Sequence, residues 1–276
     1  MIALLPLWGA AGLFLVVVMG AAWLVQKRTG QGGWADAFWT IGLGVAGAGV
    51  ALFPLDGAQP APRQWLAAVL IGLWALRLGL HIAVRAAREN EDPRYARLRL
   101  EWGSRFQAKM FGFLMLQAGA AAFLALSILL AARNPAPGLT LQDVLAVLIF
   151  LTALLGEGLA DRQLAAFKAD PDNRNRVCDA GLWAWSRHPN YFFEWIGWCA
   201  WPVFAINLGG AWPWGWLALT GPAYIYWLLT QVSGVPLLEA HMRRTRPEAF
   251  AAYAARTSAF FPRPPTRKQA APHVVK

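Results

Sequence analysis

The sequence predicts an all-α fold, a polytopic membrane helix bundle of about seven transmembrane helices with the N-terminus outside and the C-terminus cytoplasmic. Three observations carry this. The chain is 57% hydrophobic and only 14% charged over 276 residues, the balance of a multi-span membrane protein rather than a soluble domain. Apolar stretches near the ~20 residues needed to cross a bilayer recur along it. Lys and Arg alternate in density between the segments that join those stretches.

The first stretch, Ala3 to Val25, carries no charge and is closed by Gln26-Lys27-Arg28. It has no basic segment before it and is too long for a signal-peptide core, so it reads as a retained span. After Thr29–Gly33, a second span runs from about Asp36 to Leu55, and the Pro/Gly-rich Asp56–Arg63 turns the chain. The third, about Gln64 to Val84, contains Arg77 and His81. A long polar segment, Arg85 to Lys109, leads to the fourth span, about Met110 to Ala132. Within it, Arg94 to Phe106 reads as an amphipathic surface element, with arginines outward and Leu98, Trp102 and Phe106 toward lipid. Asn134–Gly138 turns into a fifth span, about Leu141 to Leu159, followed by the polar Ala160–Arg187. The sixth starts at Pro189, because proline suits the first helical turn, and ends near Asn207. The seventh follows Gly209-Gly210 and reaches about Leu238, with a kink expected at Pro222. Residues 1–262 thus form one membrane domain, and the basic 263–276 tail reads as disordered.

Counting Lys and Arg after each span gives two, one, seven, one, five and none, with eight in the tail. That alternation sets the orientation. The +10 net charge is therefore a matter of topology and gives no reason to invoke nucleic acid. Cys178 and Cys199 lie in unlike settings, and no metal-ligand spacing occurs, so neither a disulfide framework nor a metal is expected. The partner that the composition implies is the bilayer.

The intramembrane ionisable groups fall at one end. Asp36 opens span two, Arg77 and His81 share a face of span three, and Glu157 and Asp161 share a face near the end of span five. Lys168 continues that stripe if the helix extends. Asn190 and Glu194 are four apart at the start of span six, and Glu239 follows span seven. All are expected in the cytoplasmic half, none near the outer face. Such groups inside a bundle face one another or a wet cavity, and their number favours a cavity open to the cytoplasm. The plainer readings are an ion pair of Arg77 with Glu157 or Asp36, and a hydrogen-bonded core role for His81. Trp195, Trp198, Trp201, Trp212, Trp214 and Trp216 read as interfacial belt and lipid-facing packing.

The stretch Ser186-Arg-His-Pro-Asn-Tyr191 with Glu194, together with Glu91-Asp-Pro-Arg-Tyr95, Asp36-Ala-Phe-Trp39 and the downstream Gly234–Glu239, Tyr253 and Thr257–Pro262, resembles the DUF1295 membrane proteins. These are similar to the C-terminal domain of steroid 5-alpha-reductases, with the signature region at 142–262. The resemblance implies an NADPH-dependent reductase of a C=C bond conjugated to a ketone in a steroid-like substrate. It implies that Asp161 and Asn190 hydrogen-bond cofactor ribose or nicotinamide and that Lys168, Arg176 and Arg187 hold phosphates. Glu194, Glu239 and Tyr253 then complete the polar wall, beside His188 and Tyr191 of the same box. Glu157 stands where the steroid enzymes have an amide. Asp36 takes the place of the carboxylate that helps hold the ketone. The steroid enzymes pair it with a tyrosine on the third helix. Span three has none, so Arg77, His81 or a protonated Asp36 is the expected donor.

The same box occurs in S-adenosylmethionine-dependent membrane methyltransferases of the isoprenylcysteine or phospholipid type, the alternative enzyme reading. Those usually carry adjacent glutamates in the tail and a tyrosine before the box. Here a single Glu239 precedes Ala240, and Trp183 and Trp185 precede the box. A non-catalytic lipid-binding or transport role is the third reading.

Overall fold

The computed structural model describes residues 2–55, 57, 59–88 and 92–265. Glu91 of the quoted motif, part of the Asp56–Arg63 turn and most of the expected disordered tail lie outside these. The chain is 79% helical without strands among the described residues. The helices are α1 (Leu5–Thr29), α2 (Trp34–Leu52), α3 (Pro62–Arg88), α4 (Pro93–Trp102), α5 (Phe106–Ala132), α6 (Leu141–Ala169), α7 (Pro189–Ala205), α8 (Thr220–Trp227), α9 (Val235–Thr245) and α10 (Pro247–Ala254). Five helical stretches among the described residues are long and apolar enough to cross a membrane; they contain α1, α2, α3, α5 and α6. The protein is a multi-pass helical membrane protein.

The last two expected spans look different. α7 begins at Pro189, as its sequence predicts, and is 17 residues long. The stretch expected as a seventh span is divided: a 3-10 helix over Pro213–Leu219, then α8, then a wide turn of helix over Leu228–Val232. Pro222 lies in the first turn of α8, where its missing N–H has no partner to lose. The interruption comes instead before Gly234, whose flanking backbone leaves the helix.

The chain divides into two compact units, Met1–Val147 with Trp201–Gly221, and Leu148–Ala200 with Pro222–Lys276. In the first, α2 is the central helix. Glycines stand where α2 and α3 come closest: a Cβ on Gly44 of α2 would overlap Ala75 of α3, and one on Gly79 of α3 would press Ile41 of α2. Small residues at helix crossings let apolar backbones pack without a hydrophobic drive between them in lipid. Indole N–H groups tie α1 and α2 to α5: Trp8 to Ala122 O (2.7 Å), Trp23 to Gln107 O (3.2 Å) and Trp39 to Gln117 O (3.0 Å).

The expectation that ionisable groups avoid one end fails in this unit. Arg63 at the start of α3 forks onto Asp143 at the start of α6 (both contacts 2.7 Å) and also reaches the carbonyls of Asn134, Ala136 and Gly138. Arg63 and Asp143 are buried, with side chains 4% and 3% exposed. A two-pronged, fully hydrogen-bonded pair is the form in which buried charge is tolerated. This pair closes the ends of two helices.

The second unit is built on α6 and α7. A Cβ on Gly156 of α6 would overlap the ring of Phe193 on α7, so glycine sets that approach. Trp195, Tyr226, Phe260 and Phe261 form an aromatic cluster, with ring centroids 5.3–6.1 Å apart. The tryptophan reading needs correction for two members. Trp198 and Trp201 are 2% and 1% exposed, and Trp198 gives its N–H to Glu194 (2.9 Å). Trp214 and Trp216 are exposed, as expected of a belt.

Candidate functional site

Asp36 sits in the first turn of α2, with its side chain 21% exposed. Both its oxygens are taken. Tyr95 O–H donates to Oδ1 at 3.0 Å, and Arg94 Nη2 donates to Oδ2 at 2.6 Å. Both partners come from α4. That helix starts at Asp92, which caps it by accepting from the Arg94 N–H (2.9 Å), followed by Pro93 in the first turn. Cap and proline together fix where α4 begins. Asp92 also holds the Arg94 guanidinium (3.0 and 2.7 Å), so Arg94 bridges two carboxylates. Arg85 of α3 approaches Asp92 at 3.6 Å. Burial alone would raise the Asp92 carboxyl; hydrogen bonds and charge from Arg94, with Arg85, outweigh it and hold the carboxyl below its ordinary range. Tyr95 is buried (3% exposed), and its ring fits only because residue 32 is glycine, where a Cβ would overlap it.

This corrects the sequence reading in three ways. The carboxylate does have a tyrosine partner, supplied by α4 instead of the third span. A cation on Asp36 is Arg94, which the sequence reading did not offer. And Phe106, expected toward lipid, is buried at the start of α5 under the Arg99 guanidinium (4.6 Å from the ring), whereas Leu100 of α4 is exposed. Arg77 is half-buried on α3, and His81 lies on an exposed face of that helix. The missed residues are Arg94, Tyr95 and Asp92. Their signal was the Asp-Pro-Arg-Tyr run itself, a cap followed by a charged and an aromatic side chain.

The box before α7 forms a second cluster. Glu239 of α9 is 6% exposed. It accepts from Arg187 (2.8 and 2.7 Å) and Arg243 (2.7 Å), with His188 Nε2 at 3.4 Å. Burial would raise its carboxyl, but the hydrogen bonds from His188 and Arg187 and the Arg187 charge hold it down at about 2. Arg187 also donates through Nη1 to the carbonyls of Ala254 (3.2 Å) and Thr257 (2.7 Å). Ser186 Oγ donates to Phe260 O (2.8 Å), and the Arg187 N–H to Ser258 O (2.8 Å). Tyr253 O–H donates to Trp183 O (2.6 Å), and burial pushes that phenol up. These bonds tie the box to the C-terminal segment. In this arrangement Arg187 and Tyr253 are committed to protein acceptors.

The remaining groups line α6 and α7. Glu157 is buried, and Asp161 and Asn190 meet loosely at 3.5 Å. α6 does extend past Lys168, which is exposed, as is Arg176 in the following turn. The His188 and Tyr191 rings stack at 5.6 Å. Among the described residues no group of His, Cys, Asp and Glu could hold a metal.

The fold and these two carboxylate clusters define a multi-pass helical membrane protein with its polar side chains gathered at helix ends. The chain belongs to the DUF1295 family, described as a protein of unknown function, whose sequence profile matches residues 22–257. No curated protein and no solved structure matches the chain.

Proposed function

We propose that the protein is a membrane-embedded, NADPH-dependent reductase of a C=C bond conjugated to a ketone in a lipophilic, steroid-like substrate. The observation that carries the reading is the Tyr95 O–H seated on Asp36 at 3.0 Å. Reduction of an enone develops negative charge on the carbonyl oxygen, and a preorganised donor aimed at that oxygen is the largest help a protein can give. Tyr95 is that donor: its O–H turns from Asp36 to the carbonyl, while Arg94 holds the Asp36 side chain in place. This role replaces the one considered for Arg77, His81 or a protonated Asp36.

The residues present suit the phosphate-rich half of a dinucleotide. Lys168 and Arg176 are exposed, and among the described residues no ion pair engages either. They supply the phosphate contacts, and Arg187 positions the box instead. Asp161 and Asn190, which meet at 3.5 Å, are assigned to ribose or amide groups. Bound NADPH supplies the hydride. We read the N-terminus as outside and the C-terminus as cytoplasmic, from the basic loops.

The test is melting temperature of the detergent-purified protein against NADPH and, separately, S-adenosylmethionine, since a ligand of the folded state raises it by mass action. An NADPH shift that is lost in Arg176→Ala supports the reading. A shift with S-adenosylmethionine alone overturns it in favour of methyl transfer.

A further inference from the structure

The two rims of the first unit treat their cations differently. At the Pro62 and Leu141 end, Arg63 is sunk into Asp143 and three carbonyls, and Arg133 Nη2 is held by the carbonyls of Val50 and Phe53. At the Thr29 and Phe106 end, Lys27, Arg28, Arg105 and Lys109 are exposed. Among the described residues the ion pairs at this end engage Arg85, Arg94 and Arg97 and none of these four. Aromatic rings lie beside them. Lys27 Nζ stands 5.0 Å from the Trp23 ring and Lys109 Nζ 5.9 Å from the Trp102 ring. Trp23 rests edge-on against Phe111 at 5.3 Å, one turn into α5.

Cations held over indoles at the ends of spanning helices match the headgroup level of a bilayer. The ring sits at the apolar boundary and the charge projects into the phosphate layer. Among the described residues Lys27, Arg28, Arg105 and Lys109 leave uncommitted charge on one rim, whereas Arg63 and Arg133 on the other are held by protein acceptors, so the first rim gives that leaflet's headgroups a fixed complementary charge. We propose that the Lys27–Arg28–Arg105–Lys109 rim binds acidic phospholipid headgroups, with Trp23 and Trp102 seated at the glycerol level.

The experiment adds phosphatidylglycerol or phosphatidylcholine to the detergent-purified full chain and follows melting temperature. Phosphatidylglycerol should raise it by roughly 3 °C more than phosphatidylcholine. That difference should fall by at least half when Lys27, Arg28, Arg105 and Lys109 are all changed to Gln. It should persist in Arg162→Gln/Arg174→Gln/Arg244→Gln, which lowers net charge elsewhere. Soluble glycerol phosphate should give no shift. Equal shifts from the two lipids overturn the proposal, as does loss of the difference in the control variant. A glycerol-phosphate shift as large as that of the acidic lipid makes the rim a soluble-anion site and overturns it too. Should the fourfold variant not fold, native mass spectrometry of the unaltered chain decides. Phosphatidylglycerol must be retained over phosphatidylcholine and released by salt; equal retention refutes the assignment.

Discussion

Asp36 and Glu239 are both carboxylates held by arginine, yet they are built for different work. Glu239 is nearly inaccessible, and its principal partner Arg187 spends its other donors on backbone carbonyls of the C-terminal segment. Asp36 is partly open, and its partners are side chains alone, one of them a phenol that can turn to another acceptor. The comparison teaches that an Arg–carboxylate pair is a lock when the guanidinium also ties backbone, and a candidate reactive group when a movable O–H completes it.

The largest effect that would sharpen this contrast is Arg187→Ala. It removes both arginine contacts on Glu239 Oε1, leaving Arg243 and His188, and frees two carbonyls at once, and should cost about 3 kcal/mol in denaturant unfolding. Arg187→Lys should recover little, because an ammonium cannot fork. Arg94→Ala, at the more exposed cluster, should cost about 1 kcal/mol or less. A result with the two losses equal breaks the comparison.

Tyr95→Phe should do the reverse. It removes one donor, so unfolding should change by about 1 kcal/mol while kcat for an enone falls by about 10²–10³.

A third effect is acid sensitivity. The Glu239 carboxyl lies at about 2 in the folded protein against an ordinary 4.5. Its stabilisation is therefore complete above pH 4.5 and lost as pH falls toward 2, up to about 3 kcal/mol. Melting curves at pH 3 and pH 6 should diverge in the unaltered protein and converge in Glu239→Gln. Smaller again is Gly156→Ala, where the new methyl meets the Phe193 ring and overpacking should cost about 1–3 kcal/mol.

Much of the frame was legible in the sequence. Pro189 marked the start of α7, and Asp36 the first turn of α2, because helix starts have local chemistry. The Asp36 partner was not legible. Arg94 and Tyr95 lie some sixty residues downstream, in a segment whose arginines suggested a surface helix. The structure turns the phenol inward onto Asp36, with its ring packed against Gly32. Trp198 and Trp201 were misread for a related reason. From Trp195 on α7 is apolar all round, and its buried side was marked only by Asn190 and Glu194, which share the face of Trp198. The Arg63–Asp143 clamp was hidden because each partner sits at the edge of an apolar run, where a single charge looks like a loop residue.

The measurement that tests the central claim most directly is NADPH oxidation by the purified chain with a 3-oxo-4-ene steroid, in the unaltered protein and in Tyr95→Phe. The account predicts turnover in the first, and in the second a protein that still melts cooperatively and still shifts with NADPH but has lost about 10²-fold or more in kcat. Equal turnover in both would contradict the assignment of Tyr95 and Asp36 as the carbonyl site.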